Sequence, residues 1–147
     1  MIKSKVITTL KILGVILGSM ILVLSIFIFI FIYFGDAGCG NEIYQTIYSP
    51  DHLKKVLVYD RDCGAITGFS THVTLLDTSE ATSSGGNLFV ADSDHGRAKA
   101  HEQYQTLIDI QVLWINDRTL EIEYDGKARV FTKVDQLADI DIIYIKK

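Results

Sequence analysis

The chain has 147 residues, 48% of them hydrophobic, and a formal charge of −4. That length suits one domain and an appendage. All 18 acidic residues but only 11 of the 14 basic ones follow residue 35, so that stretch carries −7, which disfavours nucleic acid and anionic lipid as partners because both need a basic face.

Residues 1–11 hold Lys3, Lys5 and Lys11 and no acidic residue. Residues 12–35 hold no charge at all and are dominated by Ile, Leu, Val and Phe. As a helix they extend about 36 Å, enough to cross a bilayer core of roughly 30 Å with some tilt. The apolar part of a cleaved signal peptide is much shorter, so an uncleaved transmembrane anchor is expected, with Gly35-Asp36-Ala37 as the alternative, a weak cleavage site. The three lysines before the span set the N-terminus in the cytoplasm and everything after Phe34 outside. Tyr33 and Phe34 fall where an interfacial aromatic belt is expected. Gly14 and Gly18 form a G-x-x-x-G pair, which allows close approach of a second helix and a homodimer through the membrane, although glycine is common in membrane helices in any case. Asp36-Ala37-Gly38-Cys39 has the small residues of a lipoprotein processing site but an aspartate where an aliphatic residue belongs.

Residues 36–147 are expected to form one extracytoplasmic β domain, an antiparallel β-sandwich or a curled meander sheet. Ile43 to Tyr48 is the first strand. Tyr48-Ser49-Pro50-Asp51 turns the chain, with proline fixing φ, and Val56 to Tyr59 is a short apolar strand. Phe69, Thr71, Val73 and Leu75 alternate with Ser70, His72 and Thr74, which marks a half-buried strand with an exposed polar face. Asn87 to Val90 is another short candidate. Period two returns from Ile108 to Trp114, Leu120 to Tyr124 and Ile140 to Tyr144. Asn116-Asp117-Arg118 and Asp125-Gly126 read as hairpin turns, the second leading into Ala128 to Thr132. The last forty or so residues thus read as an antiparallel meander. Weak helical periodicity around Arg97 to Tyr104 and Val134 to Ala138 marks helical turns or loops. Trp114, on the apolar side of its strand, is expected to anchor the core.

The chemistry-bearing residues are few. Cys39 and Cys63 are the two cysteines of the chain and, on this orientation, both face an oxidising compartment, where pairs become disulfides. A bridge closes a loop of about 25 residues, worth about 3 kcal/mol by chain entropy. A nucleophilic thiol needs a base at hand, and the nearest histidine is His72; a metal thiolate site needs closer ligand spacing; lipidation of Cys39 is the remaining alternative. Asp60, Arg61, Asp62, Gly64, Thr67 and Gly68 surround Cys63, and any functional surface is expected at this loop, with Arg61 bracing it through a local ion pair. Ser70 and His72 resemble a hydrolase elbow, but the G-x-S-x-G pattern is broken, and same-face strand neighbours stand roughly 7 Å apart, too far for a direct hydrogen bond. Asp92, Asp94 and His95 begin like a calcium loop whose later ligands are missing. Glu121 and Glu123, with Asp109, are paired carboxylates that could serve acid/base work on a sugar, a pattern a solvated strand face also produces.

The strings Cys39-Gly40-Asn41-Glu42, Ser49-Pro50-Asp51, Arg61-Asp62-Cys63-Gly64-Ala65, Thr67-Gly68-Phe69-Ser70-Thr71 and Gly86-Asn87-Leu88-Phe89-Val90-Ala91-Asp92, with Trp114, resemble a family of small bacterial proteins of unknown function. The resemblance spans nearly the whole of residues 36–147, with Ile66 standing where the family has threonine. It implies an exported or membrane-attached domain that carries both cysteines, and no activity, cofactor or catalytic residue. The reading is therefore an inner-membrane or plasma-membrane protein whose β domain binds another envelope protein or a small ligand, with no cofactor. Its rivals are a metal-dependent envelope hydrolase built on Asp92, Asp94, His95 and His101, and an immunity-type protein that blocks a toxin at the membrane.

Overall fold

The computed structural model describes residues 2–34, 39–64, 68–81 and 85–147. The chain divides into two compact units, Met1–Gly38 and Cys39–Lys147. The first is one helix, α1 (Ile2–Phe34), and its stretch Ile7–Tyr33, 27 residues with a mean hydropathy of 3.1, is long and apolar enough to cross a membrane. At 1.5 Å per residue it extends about 40 Å. From Ile12 to Phe34 the helix is apolar around its whole circumference, with no charged face. On α1, Gly14 and Gly18 lie one turn apart with open space where a side chain would stand.

The second unit is mainly β. Among the described residues nine strands, β1 (Gly40–Tyr48), β2 (Lys54–Asp62), β3 (Phe69–Asp77), β4 (Phe89–Asp92), β5 (Ile110–Asn116), β6 (Thr119–Tyr124), β7 (Val130–Lys133), β8 (Gln136–Leu137) and β9 (Ile140–Lys146), form two sheets. The first has the order β1-β2-β3-β4-β7 and the second β5-β6-β9-β8. Period-two patterning explains the packing. Val56, Val58, Val73, Phe89 and Ala91 from the first sheet and Ile110, Trp114, Leu120, Ile122 and Ile140 from the second belong to one buried cluster. The Phe89 ring packs tilted against Tyr124 with ring centroids 4.9 Å apart, joining the two layers. Trp114, 8% exposed, is the expected core anchor, and its indole N–H donates to the Ile47 carbonyl across the sheets at 3.4 Å.

The antiparallel meander expected at the C-terminal end is corrected in two places. β6 and β9 run parallel, Leu120 opposite Ile142 and Ile122 opposite Tyr144. Parallel neighbours need a crossover, and the chain makes one by leaving the second sheet after Tyr124, pairing β7 with β4 in the first sheet, and returning through β8. Asp125-Gly126 is accordingly no hairpin turn. Asp125 caps the exit instead: its Oδ2 accepts the Lys99 N–H and its Oδ1 the Lys127 N–H, both at 2.8 Å. Of the two weakly periodic segments, Arg97 to Tyr104 is a loop, one of the two forms expected, while in the second Gln136–Leu137 is β8 and Ala138 turns the chain with φ 54°.

The expectation of an exposed polar face on β3 is also corrected. Residues Thr71 through Leu76 are all buried, on both sides of the sheet. The segment Gly85–Asn87 lies over the outer side. Asn87 acts there as a substitute strand, its Oδ1 accepting the Leu75 N–H and its Nδ2 donating to the Leu75 carbonyl, both at 2.8 Å.

Candidate functional site

Gly40 pairs with Asp62 at the open end of the β1–β2 ladder, so Cys39 and Cys63 occupy the next rung. Their sulfurs are joined, with an S–S distance of 2.00 Å and Cα atoms 4.0 Å apart. The bridge uses both cysteines of the chain and leaves no thiol for nucleophilic, metal-binding or lipid-bearing chemistry. Gly64 follows with φ 89°, and its N–H is held by Asp62 Oδ1 at 2.8 Å, a tight turn that favours glycine. Gly68 closes the loop with φ 66°. Thr67 and Ile66 lie outside the described residues, as do Asp36, Ala37 and Gly38.

Strand alternation separates the charged triplet. Asp60 shares a face with Val56 and Val58 and points between the sheets, where it is only 4% exposed. Burial pushes its carboxyl pKa up, against hydrogen bonds from the Thr106 hydroxyl and the Glu42 backbone, while the charges of Glu42 and Asp62 push the same way as burial. The Tyr44 hydroxyl stands 2.9 Å from Thr106 Oγ1, and its ring stacks on Tyr104 at 4.6 Å, closing this end of the core. Arg61 points to the opposite face. Its Nη1 donates to Asn41 Oδ1 across the strand pair at 2.9 Å.

Arg61 is one rung of a cross-strand row, Asn41–Arg61–Ser70–Asp92, on the outer face. His72 occupies the next row, and Ser70 Oγ lies 2.9 Å from its Nε2, which corrects the expected separation; both side chains lean along the strand toward one another. The direction of the bond decides the chemistry. The Gly86 N–H donates to His72 Nδ1 at 2.9 Å, so the neutral ring carries its proton on Nε2 and donates it to Ser70. The Ser70 hydroxyl in turn donates to the Arg61 carbonyl at 3.3 Å. A general base must accept the serine proton, and this imidazole offers Ser70 a proton instead. Burial, with the Arg61 charge adding, lowers the His72 pKa to about 4, so the ring stays neutral over the physiological range. The Ser70–His72 pair is a structural relay and not a nucleophile with its base.

The loop after β4 docks on the start of β3. Ser93 N–H donates to the Phe69 carbonyl at 3.1 Å, and Ser93 Oγ is 2.8 Å from Thr71 Oγ1. A Cβ built on Gly68 would stand 2.8 Å from Asp94 Oδ2 and 2.9 Å from His95 Cε1, so the Cys63 loop and the Asp92–His95 loop touch at glycine. Asp92 Oδ1 accepts the N–H groups of Asp94 at 3.0 Å and His95 at 2.9 Å, and Arg129 Nη1 stands 3.7 Å from Oδ2. Burial pulls this carboxyl's pKa upward, but the two N–H groups, with His95 and Arg129, hold it below its ordinary value. Asp92 is thus a loop cap whose inner oxygen is already filled. His101 stands apart, its Nδ1 accepting the N–H groups of Gln103 and Tyr104. Among the described residues no three His, Cys, Asp or Glu side chains gather to hold a metal ion.

Asp109, just before β5, and Glu123 on β6 share one lysine: Lys147 Nζ is 3.6 Å from Asp109 Oδ1 and 3.8 Å from Glu123 Oε1. Glu121, on the same outer face, does not join them. The pair of carboxylates reads as a lysine-bridged surface cluster.

Asn41, Thr106, Gly86 and Asn87 complete the relay and the loop, and none had a role assigned from sequence. Asn41, Gly86 and Asn87 fall in the strings that carry the family resemblance; Thr106 gave no local signal. Comparison with protein-family models, with curated proteins and with solved structures returned no match.

Proposed function

We propose that the chain is a single-pass protein of the bacterial cell envelope that displays a disulfide-tied β domain in an oxidising compartment as a binding module for another envelope protein. The observation that carries this reading is the apolar span Ile7–Tyr33 followed, a few residues on, by the Cys39–Cys63 bridge. Such a span is a membrane anchor by length and composition, and a structural disulfide belongs to an oxidising space. Lys3, Lys5 and Lys11 on the N-terminal side keep that end in the cytoplasm and export the rest. The polar clusters support binding over catalysis, since the Ser70–His72 pair is oriented against proton abstraction and Asp92 is committed to its own loop.

The test is a pair of C-terminal fusions in a bacterial host. A fused alkaline phosphatase is expected to be active and a fused fluorescent protein of the kind that folds only in the cytoplasm to be dark. The reverse pattern places the β domain in the cytoplasm and ends the proposal. In-cell crosslinking from the domain surface is expected to trap a discrete envelope partner.

A further inference from the structure

The outer face of the second sheet carries an unusual arrangement. In one cross-strand row Leu113, Glu121 and Ile143 stand side by side on β5, β6 and β9, and in the next Gln111, Glu123 and Ile145 do the same. Leu113 is 57% exposed, Ile143 47% and Ile145 39%, and Ile115 at 52% extends the patch along β5. On a solvated sheet face these positions are ordinarily polar, and clustered exposed aliphatics mark an interaction site. Glu123 is held by Lys147, whereas Glu121 makes no hydrogen bond or ion pair among the described residues. A lone carboxylate therefore sits between two aliphatic side chains.

We propose that this face receives an amphipathic helix of a partner protein, with aliphatic side chains seated on Leu113 and Ile143 and a lysine or arginine between them paired to Glu121. This deepens the binding-module reading and rests on it. Leu113 and Ile143 are two strand spacings apart, about 10 Å. Residues i and i+7 of a helix are about 10.5 Å apart on one face, and the residue at i+3 or i+4 falls midway on that face. The geometry thus matches an aliphatic–cation–aliphatic stripe crossing the strands. Charge selects among occupants. A second copy docked about a two-fold axis near Glu121 sets that unpaired carboxylate against its own equivalent. Anionic lipid is repelled by the same carboxylates. The chain's own α1 offers no cation between Ile12 and Phe34. Only a partner carrying positive charge complements the face.

The test uses the full chain in phosphatidylcholine nanodiscs, with empty discs as the blank, and two labelled synthetic helical peptides. One has leucine at i and i+7 with lysine at i+3 and i+4; the other has glutamate in place of lysine. Binding is read by fluorescence anisotropy. The lysine peptide is expected to bind and the glutamate peptide not. Glu121→Gln is expected to weaken the lysine peptide roughly threefold, as for an exposed ion pair, and Leu113→Ser or Ile143→Ser about tenfold. Asp139→Asn, an exposed carboxylate outside the face, is expected to leave it unchanged. Glu121→Lys is expected to switch preference to the glutamate peptide. Trp114 fluorescence and the disulfide's gel mobility report that each variant is folded. Absence of binding, equal binding of both peptides, or unchanged affinity in the Leu113 and Glu121 variants overturns the proposal. Such failure alongside an active phosphatase fusion removes this face and leaves the anchored-domain reading standing.

Discussion

Lowering the pH from 7 to 4 strips stability from the β domain through one side chain, His72. Its pKa falls from 6.5 to about 4 on folding because the ring is buried, 7% exposed, with the Arg61 charge nearby. A depressed folded pKa contributes stability that is fully present above 6.5 and is lost as pH falls through about 4, because the unfolded chain takes up the proton first. Integrated over that window the loss is about 3 kcal/mol, a large part of a small domain's total. Protonation also requires Nδ1 to give up the Gly86 N–H, so the fold has no cheap way to accommodate the charge. Asp60 works in the opposite sense, since its raised pKa makes the domain more tolerant of acid. The assay is therefore differential: denaturant unfolding of the full chain and of His72→Gln in zwitterionic detergent, followed by Trp114, the single tryptophan, at several pH values. Glutamine can accept the Gly86 N–H and does not titrate. The wild type should lose about 3 kcal/mol more than the variant between pH 7 and 4. Parallel pH profiles refute the reasoning, as does an imidazole that titrates near 6.5 by nuclear magnetic resonance.

Three further outcomes test other parts of the domain. Replacing Cys39 and Cys63 together with serine should cost about 3 kcal/mol, read by denaturant midpoint, with the secondary structure retained in circular dichroism. Gly68→Ala should cost about 1–3 kcal/mol, because φ is positive there and the methyl group meets Asp94 and His95; a neutral effect in thermal melts contradicts the described loop contact. Asp92→Ala should destabilise by about 1–3 kcal/mol by orphaning the Asp94 and His95 N–H groups, and hydrogen exchange should quicken at those two amides.

What was legible in the sequence was what alternation and charge encode locally. Leu120, Ile122 and Tyr124 announced β6, Ile140 and Ile142 announced β9, and the uncharged run before Gly35 announced α1. Which strands pair is a non-local matter, and Asp125-Gly126 carries the same turn chemistry whether the chain doubles back or crosses to the other sheet, so the parallel β6–β9 pair was hidden. The polar side of β3 misled for a related reason. His72 and Thr74 look solvent-facing until Gly85–Asn87, more than ten residues away, covers them. The triplet before Cys63 illustrates both sides. Alternation in an extended strand, readable locally, sends Asp60 inward, Arg61 outward and Asp62 into the turn, whereas Asp60's partner Thr106 is far off in sequence.

The most direct test of a disulfide-tied domain beyond the membrane is thiol labelling in intact cells with a membrane-impermeant maleimide. With the chain intact, no label is expected before reduction, and labelling of Cys39 and Cys63 is expected once an impermeant reductant is added outside the cytoplasmic membrane. Labelling without reduction, or labelling that appears only after the cytoplasmic membrane is lysed, would contradict the bridge in the first case and the export of the domain in the second.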